Sequence, residues 1–169
     1  ADAYDRALDF VRRLAPVAEA ASVTICVENV WNKFLLSPLE MRAFIDAAGS
    51  RAVGAYFDAG NALLTGYPEH WIAALGARIR RVHFKDFRRA VATIDGFCDL
   101  LSGDVDWPAV MRALRAIRYD GWVAAEMAVR NTASFSGLVL TAPLGIKIGG
   151  VLDRDIADMH SVPRAAFME

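Results

Sequence analysis

"SVTICVENVWNKF", residues 22–34, runs from a β-branched apolar segment into a polar loop and places a carboxylate, Glu28, at the changeover. Its first part reads as a strand apolar on both faces, the pattern of a parallel sheet covered by helices. Three further segments follow the same plan: "AVGAYFDAGN" at 52–61, "RRVHFKD" at 80–86 and "WVAAEM" at 122–127. Each carries one metal-competent or acid–base side chain at its C-terminal end, so the set is Glu28, Asp58, His83 and Glu126.

Helical patterns alternate with these strands. "YDRALDFVRRLAPVAEAA" (4–21) repeats apolar residues at Tyr4, Leu8, Val11, Leu14 and Ala18, the spacing of an amphipathic helix. Ser37-Pro38-Leu39-Glu40 reads as an N-cap, a proline at the first helical position and a glutamate reaching back, with Gly49 as the stop. Pro68 opens a helix over "YPEHWIAALGARI", and Asp106 caps "WPAVMRALRAI" before an Asp120-Gly121 turn. Residues 87–103 are irregular. The order α-β-α-β-α-β-loop-α-β predicts parallel strands with right-handed crossover helices, in an open sheet or a barrel.

The strand ends favour the barrel, because ligands sit at the C-terminal ends of parallel strands and a barrel brings those ends round one point. Residue parity agrees. Counting back by two from the four residues gives Cys26 and Thr24, Tyr56 and Gly54, Arg81, and Ala124 and Trp122. The other parity gives Ile25, Val27, Phe57, Ala55, Val82, Val123 and Ala125, an apolar face for helices to cover. The four residues therefore face the lumen.

Composition bounds the function. The 169 residues are 55% hydrophobic and 23% charged, as in an ordinary globular domain with a single core. A net charge of −1 supplies no field for nucleic acid or an anionic membrane, so neither is expected as a partner. Two cysteines, Cys26 and Cys98, are too few for a disulfide framework, and the chain opens without a basic-then-apolar leader, which predicts a cytoplasmic location. The late apolar stretch "SGLVLTAPLGIKIGGVL" is interrupted by Pro143, Lys147 and glycines and is too short to span a bilayer.

"VEN" with "NKF" beyond it, "YFDAGN", "VHFKD" and "GDVDWPAVMRALRAIRYDGWVAAEM" together resemble the sugar isomerase/epimerase members of the xylose-isomerase-like TIM-barrel superfamily. The resemblance runs from Tyr4 to Met127. It implies a partial (β/α)8 TIM barrel, with residues 1–127 as the C-terminal half (strands five to eight) and 128–169 as an atypical tail. It also implies that Glu28, Asp58, His83 and Glu126 bind one divalent metal and that Glu28 and Glu126 act as acid and base. Ketose 3-epimerases of the family carry a further glutamate where this chain has Leu35 and a histidine where it has Asn61, which points away from a free-ketose 3-epimerase.

The chemistry of the set agrees. Three carboxylates and one imidazole form a hard, oxygen-rich site suited to Mn²⁺, with Mg²⁺ or Co²⁺ as alternatives. Such an ion grips the carbonyl and a neighbouring hydroxyl of an open-chain sugar and stabilises the enediolate left when a proton departs, while two glutamates remove and return that proton. The expected partner is a small-molecule sugar or sugar phosphate. Arg78, Arg80, Arg81, Lys85, Arg88 and Arg89 cluster about the His83 strand, and Lys85 and Arg89 follow its end at the mouth. They join Asn61 and Trp31 as expected substrate contacts, Trp31 being either a pocket wall or a core cap. His70 is expected on a helix surface or in local packing, and His160 lies in the tail.

A closed eight-stranded barrel takes about 250 residues, so a half-barrel is expected to associate with a second copy or with a missing N-terminal half. Both the Glu28 and Glu126 strands would then expose an edge, and "LVLT" with "IKIGGVL" would form a hairpin. Two other readings stand beside the isomerase. One is a catalytically silent fragment acting as an association module. The other is an apurinic endonuclease, which needs a larger histidine set than the three histidines here.

Overall fold

The computed structural model describes residues 2–127 and, for the backbone, a strand at 138–143. His160 and the "IKIGGVL" half of the expected hairpin lie outside the described residues.

Helix α1 (Asp2–Ala20) leads into β1 (Ile25–Glu28), α2 (Pro38–Ala48) and β2 (Val53–Asp58). A five-residue helix α3 (Ala59–Leu63) and α4 (Pro68–Leu75) precede β3 (Ile79–Phe84). A short antiparallel pair, β4 (Asp86–Phe87) and β5 (Phe97–Cys98), comes before α5 (Trp107–Ala116), β6 (Trp122–Met127) and β7 (Leu138–Pro143). The main sheet has the order β1-β2-β3-β6-β7. Its first four strands are parallel, in chain order and joined by helices, which is the expected arc of a barrel. β7 runs antiparallel along β6, so the Glu126 strand, expected at an open edge, is covered.

Parity governs the packing. Ala55, Phe57, Val82, Val123 and Ala125 are buried against the helices together with Phe44, Ile72 and Leu114. On the other face Cys26 and Tyr56 are half-buried, and Arg81 and Trp122 are exposed. In α1 the buried residues are Leu8, Val11, Ala15 and Ala18, whereas Leu14 is exposed. Leu14 lies too far round the helix from the Leu8–Val11 line, which Ala15, four residues after Val11, continues.

Helix ends follow the capping chemistry. Ser37 Oγ accepts from Glu40 N at 3.1 Å, and Glu40 Oε2 reaches back to Leu36 N at 2.8 Å, one residue earlier than a standard capping box. Gly49 closes α2 at φ 70°, a left-handed conformation that glycine adopts without a Cβ penalty. Helix α4 ends at Leu75 rather than continuing through Ile79, because Gly76 at φ 54° turns the chain into a 3₁₀ turn and Ile79 already pairs with Ala55 in the sheet.

Candidate metal centre

Glu28, Asp58, His83 and Glu126 arrive from the ends of β1, β2, β3 and β6. One ligand atom from each lies within 4.8 Å of all the others. His83 Nδ1 is the shared point: it is 2.9 Å from Glu28 Oε1, 3.5 Å from Glu126 Oε2 and 3.7 Å from Asp58 Oδ2. The register explains the convergence, because Asp58 lies opposite His83, and Glu28 opposite Tyr56 two residues before Asp58. The ring of Tyr56 lies against the imidazole at a centroid distance of 3.9 Å, tilted by 35°.

Asp58 divides its carboxylate between two tasks. Oδ1 accepts the backbone N–H of Asn61 at 2.7 Å and caps α3. Oδ2 is buried, points toward the cluster and has no hydrogen-bond partner, although Lys85 Nζ stands 3.5 Å away. A buried carboxylate oxygen left this way is costly unless a cation completes it. Burial raises the Asp58 pKa to about 6, against the opposing pull of Lys85 and the Asn61 N–H, with Glu28 adding to the rise. The orphaned oxygen, the hard donor set and the spacing all fit a divalent ion.

Lys85 enters the cluster from the segment after β3. Its ammonium lies 2.8 Å from Glu126 Oε1 and sits over the Phe97 ring at 4.8 Å. Burial disfavours its charge, but Asp58, Glu126 and Glu28 outweigh that and hold its pKa above the ordinary lysine value. Asn61 is buried, and its backbone carbonyl accepts the Trp31 indole N–H at 2.9 Å. Trp31 stacks on Phe97 at 4.8 Å and meets Phe87 edge-on at 5.1 Å, so it packs as a core cap. It also lines a cavity of about 250 Å³ with Asn29, Leu35, Asn61, Leu64 and Trp71. Leu35, in the slot where 3-epimerases were expected to carry glutamate, is buried with apolar neighbours.

The basic cluster disperses. Arg78 pairs with Asp46 at 2.8 Å, Arg88 donates to the Ser102 carbonyl, and Arg89 is exposed with its guanidinium 5.6 Å from the Tyr67 ring. Of these cations only Lys85 is within ion-pair distance of the four-residue cluster. His70 is exposed beside Tyr67. Cys26 lines the lumen face, and burial pushes its thiol pKa up, which makes it unreactive filler.

Two organising residues escaped the sequence reading. Asn29, next to Glu28, accepts Asp58 N at 2.8 Å through Oδ1 and donates to Asp58 O at 2.9 Å through Nδ2. Asp86 is fully buried and accepts from Phe87 N, Gly103 N, Val105 N and the Trp107 indole at 2.8–3.2 Å. A single amide or carboxylate has no periodicity to betray it. The only signals were adjacency to Glu28 in "VEN" and to Lys85 in "HFKD".

The fold has solved counterparts. A D-allulose 3-epimerase from Methylomonas sp. in complex with D-allulose superimposes with a TM-score of 0.65 at 22% identity, covering 73% of this chain and 42% of that one. A D-psicose 3-epimerase from Clostridium cellulolyticum H10 with D-tagatose gives 0.66 at 23% identity, covering 78% and 44%. IOLI protein with a binding zinc atom gives 0.61 at 18% identity, covering 73% and 47%. This chain thus spans less than half the length of each of these structures. No curated protein matches it. The family model for the xylose isomerase-like TIM barrel matches residues 1–146, and the chain belongs to that family.

Proposed function

We propose that this protein is a divalent-metal-dependent isomerase or epimerase of a sugar or sugar phosphate. The observation that carries this reading is the convergence of Glu28, Asp58, His83 and Glu126 within 4.8 Å at the ends of four parallel strands. Sugar-bound epimerases among the similar folds support the substrate class.

In this reading the four side chains hold one ion, Mn²⁺ by preference, with Mg²⁺ or Co²⁺ acceptable to the same oxygen-rich set. When bound, the ion supplies Lewis-acid polarisation of the sugar carbonyl. Glu28 and Glu126 come from β1 and β6, which lie on opposite sides of β3 and its His83 in the strand order. One removes the proton from the carbon beside the carbonyl, leaving an enediolate, and the other returns it. Return to the opposite face of that carbon gives the epimer, and return to the neighbouring carbon gives the isomer. Asn61 and Lys85 are the substrate contacts nearest the cluster, Trp31 forms an adjoining wall, and Arg89 serves at the outer rim. Leu35 and Asn61, in place of glutamate and histidine, favour a substrate other than a free ketose handled by 3-epimerisation.

Residues 1–127 act as the C-terminal half of the barrel domain and 128–169 as its tail. β1 is the outer strand of the described sheet, and Phe10, Leu14 and Val17 are exposed along α1. Both features support association with a second copy or an N-terminal half-barrel. Among the described residues no helix is long and apolar enough to cross a membrane. A cytoplasmic location rests on the scarcity of cysteine.

Calorimetric titration of Mn²⁺ into wild type and Asp58→Ala tests the metal centre. Wild type binds with one-site stoichiometry and the variant loses most of its affinity. Equal heats from both proteins would exclude the centre and favour a silent association module.

A further inference from the structure

Lys85 is placed with more care than a surface substrate contact requires. A Cβ on Gly60 would lie 2.7 Å from the Lys85 carbonyl oxygen and 2.9 Å from its Cγ, so the glycine of "DAGN" makes room for the stem of the lysine. Phe97 supports the ammonium from one side and Glu126 Oε1 holds it at 2.8 Å from another, leaving the side chain 14% exposed. Three elements, α3, β5 and β6, thus hold one positive charge against the carboxylates.

The charge count gives this placement a meaning. Glu28, Asp58 and Glu126 supply three negative charges, His83 as a neutral ligand supplies none, and Lys85 removes one, leaving a net charge of −2. A divalent ion neutralises that set. The three carboxylates draw a trivalent ion half as strongly again as a divalent one, and the ammonium repels it half as strongly again. Lys85 therefore offsets part of the advantage a higher ion charge would otherwise have here, while the charge left over with a trivalent ion is poorly solvated. Without Lys85 the donors sum to −3 and match a trivalent ion.

We propose that Lys85 tunes the ion charge this centre prefers, weakening the binding of trivalent cations such as ferric iron more than that of divalent ones. The proposal rests on reading the four side chains as a metal centre. It assigns Lys85 a role toward the ion, separate from any contact with sugar.

The test compares binding of Mn²⁺ and Lu³⁺, ions of similar radius, by calorimetry on wild type, Lys85→Met, Lys85→Gln and Lys85→Arg, with circular dichroism to verify folding. The neutral variants should shift the ratio of the two dissociation constants toward Lu³⁺ by at least about tenfold, while the arginine variant stays within about threefold of wild type. An unchanged ratio in a folded neutral variant overturns the proposal and leaves the metal centre standing, because Mn²⁺ still binds. Failure of wild type to bind Mn²⁺ overturns both. Should neither neutral variant fold, Lys85→Arg decides, since loss of the wild-type preference despite the retained charge overturns the proposal.

Discussion

The side-chain amide of Asn29 grips both backbone polar groups of Asp58, accepting its N–H at 2.8 Å and donating to its carbonyl at 2.9 Å. β1 ends at Glu28 and β2 at Asp58, so the amide extends the parallel ladder by one rung where the backbone no longer can. This fixes the spacing between two candidate ligands. It also satisfies two buried backbone groups that would otherwise lack partners.

Asn29→Ala should therefore lower stability by about 2 kcal/mol, from the two groups left unpaired, and weaken Mn²⁺ binding in the same protein. Chemical denaturation and calorimetry measure the two effects separately. Lost stability with unchanged Mn²⁺ affinity would confine Asn29 to the scaffold.

Glu28→Gln and Glu126→Gln keep an amide oxygen at each position but cannot accept a proton from carbon. Exchange of the substrate's carbon-bound hydrogen with solvent deuterium, followed by NMR on the sugar, should cease in both, with Mn²⁺ affinity largely kept. Continued exchange in both variants would remove the two-glutamate mechanism.

Much of this architecture is legible in the residues. Glu28, Asp58, His83 and Glu126 each close a β-branched or aromatic run, and the two-residue period places them on the face opposite Phe57, Val82 and Val123. That face is the one the helices leave open. What stays hidden has physical reasons. The helix Ala59–Leu63 is too short to show a 3.6-residue period, so "DAGN" reads as a strand end although Asp58 caps a helix there. The antiparallel pairing of β7 with β6 stays hidden because the strand propensity of "LVLT" suits either β6 or the later "IKIGGVL" as a partner, and propensity does not choose between them. The separation of the arginines reflects side-chain partners on distant elements, as with Arg78 and Asp46, 32 positions apart.

Asp86 tests the loop that carries the aromatic wall. Its carboxylate takes four N–H donors from residues 87 to 107 and so fixes Phe87 against Trp31 and Phe97. Asp86→Asn replaces one acceptor oxygen with an NH₂ group facing donors and should cost about 2–3 kcal/mol. The urea midpoint reads that loss. A midpoint unchanged from wild type would show that the loop is held by its apolar packing instead.

Asp58 makes the stability of the metal-free protein depend on pH in a defined direction. Its folded pKa is about 6, raised from 3.8 by burial. The folded state therefore binds the proton more tightly than the unfolded chain, and stability falls as pH rises across that interval. The contribution is fully present below about pH 4 and is lost as pH passes through about 6, a change on the order of 3 kcal/mol. Thermal melts of metal-free protein between pH 4 and 8, with Asp58→Asn as the reference, isolate this group, and the difference in Tm between the two should grow in disfavour of wild type as pH rises. With Mn²⁺ present the trend reverses, because ligation requires the carboxylate and binding releases its proton. A wild-type advantage that is flat across pH 4 to 8 in metal-free protein would show that the Asp58 carboxylate is not held in the buried, unpartnered state its Oδ2 occupies.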